Sequence, residues 1–309
     1  MQSLKRSILK VVAYFDLFNY PVKLDEIRSF LDRPFAERDL LFALQELQND
    51  NVIFKLNNFY SLRYDFSLIE RRIKGNGLAE KMIKKAKKIA HFLSWFPYIK
   101  GIAVSGSLSK NFAYEGCDID FFIITSANRL WIARTFFIIF YQVAKLAGIK
   151  NWFCLNYFID ETAAEIPEKN IYTAIEIVTL MPLYGKNVFK DFQEKNSWVE
   201  NYLPNYFTDH EHVIEKKPGI PKRITEMLFN NNAGEAVDNY IWHFYRRRWK
   251  KMLEKKEFAK NGFQFGSYIA VKHACKPIPH YFQGKLLMRY EEKMQSLDDV
   301  YYKNEKLTG

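Results

Sequence analysis

The sequence predicts an α+β chain. Apolar residues fall at helical spacing three times in the first 48 positions, and a short hairpin follows them. Two apolar, strand-like runs at 98–105 and 117–124 flank a Gly-Ser turn, and the stretch from 204 onward is mostly helical in pattern. With 309 residues the chain exceeds the commonest single-domain size, so two or three domains are expected. The pattern places them at 1–66, 97–203 and 204–309, with 67–96 as a connecting helix. A hydrophobic content of 48% supplies packed cores and excludes general disorder.

The first helix is predicted over 4–18 from Leu4, Ile8, Val11, Val12, Phe15 and Phe18, and Asn19-Tyr20-Pro21 breaks it. Asp25 and Glu26 start a second at 24–31, which Asp32-Arg33-Pro34 ends. Leu40, Leu41, Leu44 and Leu47 form one stripe of a third, 36–48. The runs 52–56 and 59–62, joined by Asn57-Asn58, read as a hairpin. Three short helices and a hairpin resemble a winged helix-turn-helix domain; the alternative is a small helical cap whose hairpin packs on the next domain. In DNA-binding members of that class the third helix enters the major groove, where basic side chains neutralise phosphate. Here it carries Glu37, Asp39 and Glu46 against Arg38 alone, and residues 1–66 hold nine basic and nine acidic side chains. Scaffolding or protein contact suits this module better than reading DNA.

The net charge of +11 therefore originates elsewhere. Residues 67–100 hold nine basic against two acidic side chains, 101–208 nine against eleven, and 209–309 nineteen against thirteen. A long helix is predicted over 69–95, interrupted at Gly75 and Gly77, with eight bases between Arg71 and Lys88 and one acid, Glu80. Seven of the eleven residues 246–256 are basic. A polyanionic partner such as RNA is expected to meet the chain at 71–88 and 246–256. No membrane partner is expected, because the most apolar stretch, 130–149, carries Arg134, Gln142 and Lys145 and reads as a buried helix. The first ten residues lack a signal-peptide pattern, and Cys117, Cys154 and Cys275 are too far apart for a zinc site or a disulfide scaffold. A cytoplasmic protein is expected.

The chemistry concentrates between positions 98 and 124. The strand 98–105 leads into Gly106-Ser107, and Cys117-Asp118-Ile119-Asp120 heads a second buried strand. Residues i and i+2 of a strand share a face, so Asp118 and Asp120 are expected side by side. Paired carboxylates repel unless a cation lies between them, and hard oxygen ligands suit Mg²⁺ shared with phosphates. Gly106 permits close backbone approach, and the Ser107 hydroxyl and amide suit phosphate oxygens.

A strand, Gly106-Ser107, ten intervening residues and then Asp118-Ile119-Asp120 within apolar flanks resemble the DNA polymerase β-like nucleotidyltransferase superfamily. The resemblance covers about 97–160 and implies a small mixed-sheet core. It also implies transfer of a nucleotidyl group from a nucleoside triphosphate to an acceptor hydroxyl, using two Mg²⁺ ions. Gly106 and Ser107 would hold the triphosphate, and Asp118 and Asp120 the metal. The family carries a third carboxylate on the next strand, predicted here at 152–159 after a helix at 128–147. Asn156 occupies the matching position, and Asp160 at the strand's exit shares its facing. An amide oxygen ligates Mg²⁺ but accepts no proton at neutral pH. Asn156 is the favoured occupant of the third ligand position, with Asp160 the alternative.

Lys110 follows the turn closely enough to reach a phosphate, and Arg129 and Arg134 open the next helix, where triphosphate or aspartate would satisfy Arg134. Glu176, in a helix predicted at 171–180, reads as exposed or capping. The histidines show no pairing with carboxylate or cysteine at ligand spacing. The preferred reading is a Mg²⁺-dependent nucleotidyltransferase. Its rivals are a catalytically silent nucleotide- or nucleic-acid-binding protein with that fold, and a winged-helix regulator with the core as ligand sensor.

Overall fold

The computed structural model describes residues 1–146, 153–207, 213, 215, 219–259, 269–276 and 281–308, and all their side chains except those at 144, 145, 153–156, 221, 252–259, 269, 281 and 300–308. Helices α1 (Gln2–Asp16), α2 (Leu24–Phe30) and α3 (Glu37–Asn49) precede a hairpin of β1 (Phe54–Leu56) and β2 (Phe59–Ser61). Leu4, Ile8, Val12 and Phe15 of α1 are buried with Ile27 of α2 and Leu40, Leu44 and Leu47 of α3, as the helical spacing predicts. Leu41 departs from the expected stripe and is exposed beside Phe42.

Helix α4 (Phe66–Leu93) runs without a break. Gly75 does not interrupt it, as the sequence suggested. Its bare Cα instead lets Phe112 approach: an added Cβ would lie 2.2 Å from Phe112 Cε2. Ala79, Ala86, Ala90 and Leu93 of this helix pack on the central sheet. Its lysines 81, 84, 87 and 88 are exposed.

The sheet is mixed, with six strands in the order β6-β3-β4-β5-β8-β7 among the described residues. Strand β3 (Ile99–Val104) leads through the short helix α5 (Gly106–Ser109) to β4 (Ile119–Thr125). Helix α6 (Leu130–Leu146) carries the chain across to β5 (Phe153–Asp160), which lies parallel to β4. Then come α7 (Ile171–Val178), β6 (Met181–Tyr184) and α8 (Lys186–Lys195). Period-2 alternation on β4 covers both faces: Phe121 and Ile123 meet Trp131 and Phe137 of α6, while Phe122 and Ile124 meet Phe189 and Phe192 of α8.

The last third is not helical alone. Helices α9 (Ile220–Phe229), α10 (Asn232–Ala259) and α11 (Tyr281–Thr308) are joined by β7 (Ile269–Val271) and β8 (Ala274–Lys276). Strand β8 pairs antiparallel with β5, so a segment expected as a helical domain completes the central sheet. Helix α11 packs back on α1, through Leu286 and Met294. No helix among the described residues is long and apolar enough to cross a membrane. Leu130, Trp131 and Phe137 of α6 are buried, while its far face exposes Ile139, Val143 and Leu146.

Candidate functional site

At the end of β3 the Ser105 amide donates to the Asp120 carbonyl at 2.9 Å, which seats the Gly-Ser turn over the head of β4. Gly106 adopts φ +70°, and a Cβ there would lie 2.9 Å from Asp120 Oδ2. Only glycine meets both demands without strain. Strand β4 begins at Ile119, so Asp118 lies one residue ahead of it and is exposed, while Asp120 is half-buried. The two remain close enough to interact: burial, then the Asp118 and Glu176 charges, push the Asp120 carboxyl up to about 6.

Glu176 is neither free surface nor a cap. Helix α7 aims it at the turn, where its Oε1 accepts from Lys110 Nζ at 2.7 Å. Lys110 Nζ also donates to the Gly106 carbonyl at 3.1 Å. The lysine expected on phosphate is therefore neutralised in place and braces the turn. Ser107 is exposed.

Gly106, Ser107, Lys110, Asp120 and Glu176 all line one cavity of about 450 Å³. Its walls are aromatic: Tyr14 and Phe18 from the first helix and the turn after it, Phe112 and Tyr114 beyond the Gly-Ser turn, Tyr172 from α7 and Phe282 from α11. Composition and motif spacing did not reveal this wall, because its rings converge from four separate stretches of chain. One local signal existed: Tyr172 and Glu176 are four apart on a helix and so share a face.

The third-ligand candidates separate. Asp160 pairs in register with Thr125, six positions along β5 from Cys154, the partner of Asp120. At about 3.3 Å per residue this is about 20 Å from the aspartate pair. Its buried carboxylate accepts from the amides of Asn128 and Thr162 at 3.0 Å and lies 2.7 Å from His273 Nδ1. Asp160 thus serves the opposite end of the sheet, and the His273 pairing is one that spacing alone missed. Position 156 is passed over in the β4–β5 register, between Leu155 and Tyr157. The Asn156 side chain lies outside the described ones.

The helix-opening arginines also lie away from the turn. Arg129 donates to the carbonyls of Asn128, Phe229 and Asn231. Arg134 lies against the rings of Tyr245 and Trp249, 4.9 and 5.0 Å from their centroids.

Among the described residues no three His, Cys, Asp or Glu side chains are grouped to hold a metal ion. The Asp118–Asp120 pair nonetheless suits Mg²⁺, which commonly binds one or two carboxylates and draws its other ligands from phosphates and water. The like charges that raise the Asp120 carboxyl are those a cation would relieve. A scan of protein-family models and searches of curated proteins and of solved structures find no match to this chain.

Proposed function

We infer that this chain is a Mg²⁺-dependent nucleotidyltransferase that moves a nucleotidyl group from a nucleoside triphosphate to an acceptor hydroxyl. One observation carries the reading: a left-handed glycine packed on Asp120, with Asp118 beside it and Ser107 at the rim of an aromatic cavity. Asp118 and Asp120 would hold the metal, which supplies charge neutralisation for the phosphate oxygens. Ser107 is exposed and free to contact the triphosphate, and Gly106 keeps the backbone low enough for that approach. The acceptor oxygen attacks the α-phosphorus, a new P–O bond forms, and the bond to the departing pyrophosphate breaks. Glu176, oriented by Lys110, is the carboxylate facing the cavity that is available to take the acceptor's proton.

The small donor set favours a second reading, nucleotide binding without transfer. Incubation with each of the four labelled ribonucleoside triphosphates and Mg²⁺, alone and with RNA or protein extract, separates the two. Transfer of label that disappears in Asp118→Asn and Asp120→Asn supports the enzyme. Metal-dependent triphosphate binding without any labelled product supports the silent protein, and undiminished binding in both variants removes the site from consideration.

A further inference from the structure

We propose that the aromatic cavity receives the base of a nucleoside, and that the N-terminal module is there to wall it. The assignment rests on the nucleotidyltransfer reading and names the part of the site that holds the base. The cavity, about 450 Å³, falls within the range of small-molecule pockets. Phe18, Phe112, Tyr114, Tyr172 and Phe282 border it, and planar heterocycles gain most from aromatic walls.

The interior offers the phosphate chain no surplus of positive charge. Of the two cations on the lining, Lys110 is paired with Glu176, and the exposed Arg71 donates to the Asn19 carbonyl at 2.7 Å and lies 4.5 Å from the Phe112 ring centroid. Asp120 and Glu176 add two carboxylates. On the proposed reading the phosphates lie with the metal at Asp118 and Asp120, toward the exposed Ser107, which leaves the uncharged base for the aromatic interior.

A second observation points the same way. Tyr14, from α1, is 2% exposed, and its hydroxyl has no hydrogen-bond partner. It lies within electrostatic reach of Glu176 and Tyr172, both on the cavity lining, and also borders a second cavity of about 300 Å³. A buried hydroxyl left unpaired is costly, and the polar edge of a base supplies what it lacks. The module is anchored firmly enough for this task. The guanidinium of Arg72, 2% exposed, lies 3.5 Å from the Tyr20 ring centroid and donates to Glu26 at 2.7 Å and the Pro21 carbonyl at 3.0 Å. Tyr20 Oη in turn donates to the Lys110 carbonyl at 2.6 Å, tying the module to the Gly-Ser turn.

The test is calorimetric titration of the full chain with free adenosine, guanosine, cytidine and uridine in EDTA, where neither metal nor phosphate contributes. At least one nucleoside is expected to bind. Tyr114→Ala, at an exposed position, should weaken that binding about tenfold by removing a stacking surface. Tyr14→Phe, which removes only the hydroxyl, should weaken it about three- to tenfold. No binding of any nucleoside to the native chain overturns the proposal, as does equal affinity in both folded variants. Nucleoside binding abolished by these substitutions, with no nucleotidyl transfer under any condition, would leave the base pocket standing and sink the enzyme. Transfer without nucleoside binding would do the reverse.

Discussion

Asp120 is a carboxylate whose charge the fold opposes, and this has a pH signature. Its pKa rises from 3.8 to about 6 through burial and the neighbouring Asp118 and Glu176. The folded state thus keeps the proton longer than the unfolded chain, so the penalty is absent below about pH 4 and complete above about 6. Asp120→Asn is expected to stabilise the protein at pH 7 by about 1–3 kcal/mol in urea unfolding and to change nothing at pH 3.5. The same substitution should abolish any Mg²⁺-induced rise in Tm. In the native protein that rise should fade as pH drops through about 6, since protonated Asp120 cannot ligate. Asp160 has a structural role instead. Its carboxylate binds two amides and sits by His273, so Asp160→Asn should cost about 1–3 kcal/mol of stability yet leave Mg²⁺ affinity unaltered. Loss of Mg²⁺ affinity in Asp160→Asn would instead return it to the site. The aspartate pair and the glycine were legible because their spacing is local. Glu176 and Lys110 were not: 66 positions separate them, and only the docking of α7 makes them partners.

Helix α4 holds two glycines that look alike in sequence and differ in surroundings. A Cβ at Gly75 would strike the Phe112 ring, whereas nothing lies within 4 Å of one at Gly77. Gly75→Ala should therefore destabilise by about 1–3 kcal/mol through overpacking, and Gly77→Ala should stabilise by about 0.5–1 kcal/mol through helix propensity. Equal effects in thermal unfolding would mean that Phe112 does not pack there. The glycines suggested a break because propensity is a local quantity, while Ala79, Ala86, Ala90 and Leu93 hold the helix against the sheet. The three-residue strands β7 and β8 illustrate the same limit. They form a local hairpin with each other, but what docks it on the sheet is the pairing of β8 with β5, more than a hundred positions earlier, which no window of sequence contains.

The charge asymmetry read from the sequence survives folding as a surface feature. Lys81, Lys84, Lys87 and Lys88 of α4 and Arg246, Arg247 and Arg248 of α10 are exposed, while the outer face of α3 presents Glu37, Asp39, Leu41 and Phe42. If the chain binds RNA, replacing Lys84, Lys87 and Lys88 with Gln should weaken binding and flatten its salt dependence by about one unit for each phosphate left without its lysine. Arg38→Gln on α3 should do neither. Steeper losses from Arg38→Gln than from the lysines, measured by fluorescence anisotropy at several salt concentrations, would relocate the interface to the module.

The local pattern of apolar residues settled the mixed α+β character, the first three helices, the hairpin and the buried central strands, because 3.6- and 2-residue periodicities are properties of neighbouring positions. Gly106 and Asp120 also come together locally, since one short strand–turn–strand segment contains both. Long-range packing decided the rest. It carried Asp160 to the far end of the sheet, paired Lys110 with Glu176, and joined β8, with β7 at its edge, to the central sheet. It also turned the first helix and α11 into walls of a cavity beside Asp120. Those outcomes depend on which apolar faces find each other, and many distant residues share that choice.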